Sequence, residues 1–71
     1  MSYAAYAKAA RNNVEAHIGD VITPDMLDPE SETGMDEFYE NVYVLAHDGA
    51  VNVGATMQQA QIIAQKVRGE Y

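Results

Sequence analysis

The sequence predicts a small α+β domain: an N-terminal helix, an acidic connection, a β-hairpin and a C-terminal helix. Three observations carry that expectation. Apolar and small residues recur at helical spacing near both ends of the chain. Near the middle, "NVYVLAHDGAVNVGA" alternates with period two around Asp48-Gly49, a dipeptide suited to a two-residue type I′ turn. Capping residues stand where the helices would begin. With 71 residues the chain is read as one domain, 1–71. Chains of this size bury only about 60% of their unfolded surface, so efficient packing or a partner must supply stability.

The first helix is expected from about Ser2 to Ile18, with Ser2 as cap and Gly19 as stop. Tyr3, Ala7, Ala10, Val14 and Ile18 fall on one stripe, mostly of small side chains, and Tyr6 lies at its flank. In the connection, Val21 and Ile22 read as extended. Thr23-Pro24 reads as a cap followed by a first-turn proline. Met26 and Leu27 would point inward from that turn, with Asp25 near its positive end, and Pro29 would end it. Thr33 is a second cap candidate, ahead of a short apolar face of Met35, Phe38 and Tyr39.

The hairpin is expected to pair strands at about 41–47 and 50–55. Its turn would place Val42, Val44, Ala46, Val51, Val53 and Ala55 on the inner face. Tyr43, Leu45 and His47 would lie on the outer face, beside an open strand edge suited to pairing with a second copy of the chain. The last helix, about 56–69, starts with a Thr56/Gln59 capping box. It carries the stripe Ala60, Ile63, Ala64, Val67 and Tyr71.

Charge narrows the functional classes. The net charge is −7, and all four basic residues (Lys8, Arg11, Lys66, Arg68) are near the ends. No Lys or Arg occurs from Asn12 to Gln65, whereas ten of the eleven acids do, eight of them from Asp20 to Glu40. Such a surface repels nucleic acid and anionic membranes, whose binders need cations. A partner drawn by charge would present a basic surface. Cysteine is absent, no apolar run approaches the roughly 20 residues of a membrane span, and no signal peptide is evident, so a cytoplasmic location is expected.

The stretch "DPESETGMDE", residues 28–37, has the acid density of a calcium loop. Asp28, Glu30 and Glu32 fit the first three ligand positions, but Thr33 stands where glycine is required and Tyr39 where glutamate is required. Gly34 and Glu40 are each one residue late, so the regular loop fails and no metal is expected. His17 and His47 lack catalytic companions, the serines have no neighbouring base motif, and no phosphate-binding glycine loop is present. The expectation is therefore a non-enzymatic interaction protein without a cofactor. Asp28, Glu30, Glu32, Asp36, Glu37 and Glu40 are its candidate contacts with a basic protein surface. An inhibitor from a phage or mobile element, mimicking nucleic acid in a basic groove, has this character. The alternative is a self-associating structural domain using Tyr43, Leu45 and His47, with acidity serving solubility alone.

Overall fold

Asp48 and Gly49 lie inside a helix. The computed structural model describes residues 2–71, apart from the side chains of Asp25 and Leu27. It contains helices α1 (Tyr3–Val21), α2 (Pro24–Leu27), α3 (Gly34–Asn52) and α4 (Met57–Gly69), with no strand among the described residues. The expected α+β class is thus corrected to an all-helical one: three main helices, with α3 packed against α1 and α4 and the short α2 laid on α3. The strands expected at 41–47 and 50–55 are one continuous stretch of α3 as far as Asn52, followed by its C-terminal cap.

The physical reason lies in the spacing of the apolar residues. Val42, Ala46, Gly49, Ala50 and Val53 recur at intervals of four, three, one and three, which is one helical stripe. The first four are buried and Val53 is half-buried. Val44 and Val51, assigned to the inner face of a hairpin, are instead 48% and 38% exposed. Alternation and helical periodicity share enough positions here that tertiary packing decides between them.

Gly49 permits a close approach of α3 to α1. A Cβ built there would lie 2.7 Å from the carbonyl oxygen of Ala9, 2.8 Å from Cβ of Asn13 and 3.0 Å from Cα of Ala10. Its missing side chain therefore serves a helix crossing instead of a turn. Beside it, the Asn13 amide donates to the Leu45 carbonyl at 2.7 Å. Ascending α1 from Ala10 to Asn13 corresponds to descending α3 from Gly49 to Leu45, so these helices run antiparallel.

The core is built mainly from small side chains. Ala7, Ala10, Ala46, Ala50, Ala55, Ala60 and Ala64 belong to it, and its largest fully buried members are Ile63, Val14, Val42 and Val67. Alanine brings helix axes together but contributes little apolar area, so each larger side chain carries a substantial share of the burial. The expected stripes of the outer helices meet here. Tyr6, placed at the flank by the sequence pattern, is buried, while Tyr3 and Tyr71 are exposed. Met26 is buried against α3, as expected of its turn; the inward placement of Leu27 and the location of the Asp25 carboxylate lie outside the described residues.

The helix ends follow capping chemistry with two corrections. Ser2 accepts from the Ala5 N–H, and Thr56 and Gln59 form a complete capping box. Gly19 does not stop α1, which continues to Val21 before Ile22 turns extended. Thr33 flanks α3 but makes no side-chain cap; the Ser31 hydroxyl accepts from the Gly34 N–H at 3.1 Å in its place. At the other end of α3, Gly54 has φ +103°, the left-handed region. The Gly54 N–H donates to Val51 and the Ala55 N–H to Ala50, which is the paired arrangement of a Schellman cap. Gly54→Ala is expected to cost about 1 kcal/mol in urea denaturation, through backbone conformation alone, since open space surrounds that position.

Candidate functional site

The acids of the span divide between a turn and a helix. In the connection, the Asp28 carboxylate accepts from the Glu30 N–H at 2.9 Å, and the Ser31 N–H donates to the Asp28 carbonyl. This is an Asx-type turn, so Asp28 has a local structural role as well as its charge. Glu30 and Glu32 extend from the same connection into solvent. Asp36 and Glu37 stand in the first turn of α3, where carboxylates favour the positive end of the helix dipole. Glu40 follows Asp36 by four residues and shares its face.

All six candidate acids are exposed. Among the described residues none of them lies within ion-pair distance of a cation; the pairs present are Arg11–Glu70, His17–Asp20 and His47–Asp48. Arg11, which closes the long acidic stretch at its N-terminal side, is engaged elsewhere. Its guanidinium donates to both Glu70 carboxylate oxygens, at 2.8 and 2.7 Å, tying α1 to the end of α4. Hydrogen bonding from Arg11 is the main cause that holds the Glu70 carboxyl below its ordinary range. The benefit of that pair exists above the ordinary carboxylate range and is lost as pH falls through the depressed value. Both side chains are 39% exposed, so solvent screens the pair.

The outer-face trio is separated by the helical geometry. Two positions apart on a helix, Tyr43 and Leu45 point about 160° away from each other. Tyr43 turns toward α4, where the Arg68 guanidinium lies 5.8 Å from its ring centroid. His47, one turn later, stacks on Tyr43 at 6.2 Å with 25° between the planes. Leu45 is half-buried against the core, its carbonyl held by Asn13. The open strand edge on which self-pairing was expected is absent together with the strands.

An open groove of about 690 Å³ joins α3 to the end of α4. Asp36, Tyr39, Glu40 and Tyr43 line it from α3, and Arg68, Gly69 and Tyr71 from the other side. Phe38 steadies two of these rings by edge contacts, at 5.5 Å to Tyr39 and 6.3 Å to Tyr71. Burial, assisted by the charges of Glu15 and Glu70, pushes the Tyr71 hydroxyl above its ordinary pKa. The groove joins two expected contact acids to Tyr43 of the expected self-association set. Sequence reasoning missed Tyr39, Arg68 and Tyr71 as site residues. Tyr39 follows Asp36 by three residues, a phase that groups them only when α3 is read as one helix, whereas Arg68 and Tyr71 join them through the packing of α4 on α3, which no spacing within the sequence shows.

Among the described residues no three His, Asp or Glu side chains converge to hold a metal ion, and no helix is long and apolar enough to cross a membrane. No protein-family model, curated protein or solved structure matches the chain.

Proposed function

We propose that this is a cytoplasmic, non-enzymatic interaction protein whose acidic surface binds a basic protein partner. The observation that carries the reading is the exposure of all six acids without a cation beside any of them among the described residues. Mutual repulsion of the carboxylates within such a surface is relieved when a partner brings Lys or Arg to it. A partner with that surface commonly uses it for nucleic acid, so occupation by this protein would act as inhibition. Asp28, Asp36 and Glu37 also have local structural reasons to be acidic, whereas the side chains of Glu30, Glu32 and Glu40 make no hydrogen bond or ion pair among the described residues; these three speak most directly for a contact.

Affinity capture from the source cell at low and high salt identifies the partner. The purified complex is expected to weaken steeply with added salt and to exclude nucleic acid from the partner. Neutralising Glu30, Glu32, Asp36 and Glu40 together, to Gln or Asn, is expected to reduce affinity at least about tenfold, since each lost contact is worth a few tenths to 1 kcal/mol at an exposed site. Unchanged affinity in that fourfold variant sinks the proposal.

A further inference from the structure

We infer that the groove between α3 and the end of α4 receives an arginine side chain of the basic partner. This rests on the reading of the acidic surface as a contact for a basic protein and names the chemistry of one part of it. The groove combines what a guanidinium requires: aromatic faces to stack on and carboxylates to donate to. Tyr39 and Tyr71 supply aromatic walls, and both are held by contact with Phe38. Asp36 and Glu40, one helical turn apart, supply the acceptors.

The chain itself shows the compatibility of this wall with a guanidinium. Arg68 lies over the Tyr43 ring, 5.8 Å from its centroid, within the usual reach of a cation–aromatic attraction. Although it lines the same groove, Arg68 forms no ion pair with Asp36 or Glu40 among the described residues. Both carboxylates thus remain available beside rings that the resident cation does not cover. Phosphate or nucleic acid is disfavoured because the two carboxylates outnumber the single cation, Arg68, in the groove. An ammonium would take the charge, but it lacks the planar fork that stacks and donates to a carboxylate together. The open shape suits a side chain presented by a larger surface more than an enclosed small molecule.

Titration with short oligoarginine and oligolysine peptides of equal length, followed by amide chemical shifts and calorimetry, tests the inference. Oligoarginine is expected to bind more tightly and to shift Asp36, Tyr39, Glu40, Arg68 and Tyr71. Two double variants that remove the same charge separate the groove from the general field. Asp36→Asn/Glu40→Gln is expected to weaken oligoarginine binding about tenfold, the size of one desolvated cation contact. Glu30→Gln/Glu32→Gln, outside the groove, is expected to weaken it only about twofold, as a screened surface effect. Tyr39→Leu, which keeps the charge, is expected to weaken oligoarginine more than oligolysine, with helical circular dichroism confirming that it folds.

Equal losses in the two double variants, with equal affinities for the two peptides, overturn the groove assignment and leave the acidic surface as a diffuse contact. Failure of both peptides to bind at low salt overturns the groove assignment and the acidic-surface reading together.

Discussion

Gly49→Ala is expected to destabilise the protein by about 1–3 kcal/mol, although alanine is the better helix former by about 1 kcal/mol. Two opposing effects meet at this position, and geometry decides between them. On an exposed helix the substitution would stabilise. Here the added methyl carbon would stand 2.7 Å from a carbonyl oxygen and 3.0 Å from a Cα, both backbone atoms of α1. Backbone cannot swing aside as a long side chain does, so α1 and α3 must separate. That movement would also lengthen the 2.7 Å hydrogen bond from Asn13 to Leu45. Urea denaturation followed by circular dichroism measures the effect; a variant more stable than the parent contradicts the close crossing.

Ile63→Ala is expected to cost about 2–4 kcal/mol. Ile63 is fully buried and is among the few large side chains in a core otherwise rich in alanine. Domains of this length have a total stability of roughly 4–10 kcal/mol, so the substitution removes a large part of it. Ile62→Ala, one residue earlier and 52% exposed, is the natural control and is expected to change stability by less than about 0.5 kcal/mol. Similar losses at the two positions in thermal or urea unfolding would contradict the orientation of α4.

Local chemistry made the outer helices legible in the sequence. Ser2, Thr56 and Gln59 cap through contacts three residues away, and the alanine stripes of α1 and α4 do meet the core. The middle of the chain was not legible in the same way. A glycine that turns a hairpin and one that admits a neighbouring helix are the same letter, and the difference at Gly49 is set by Ala9, forty positions away. The apolar set that suits one face of a hairpin contains Val42 and Ala46, which also suit a helix. A counter-signal was present, since no glycine or proline interrupts Met35 to Asp48 and Phe38, Val42, Ala46 and Gly49 continue one stripe.

The same misreading governed the site. The clustering of acids from Asp20 to Glu40 is visible without any structure, as is the absence of cations from Asn12 to Gln65. Their arrangement is not. As a helix, α3 carries Asp36 and Glu40 to the wall that Tyr39 and Tyr43 share with Arg68 and Tyr71. As a hairpin, the segment would have set Tyr43 beside Leu45 and left the C-terminal helix out of the site. Residues 28–37 likewise divide by physical cause: a hydrogen-bonded turn at Asp28, a favourable dipole at Asp36 and Glu37, and bare exposed charge at Glu30 and Glu32.

The convergence of Asp36, Tyr39, Glu40 and Tyr43 on one wall depends on α3 being one helix from Gly34 to Asn52. Amide NMR across Leu45 to Val53 tests that most directly. A continuous helix predicts strong sequential amide–amide contacts through Asp48 and Gly49, with Ala46 to Ala50 contacts one turn apart. Strong cross-strand contacts between Val44 and Val53, with extended-chain Cα shifts on both sides of Asp48-Gly49, would contradict the account.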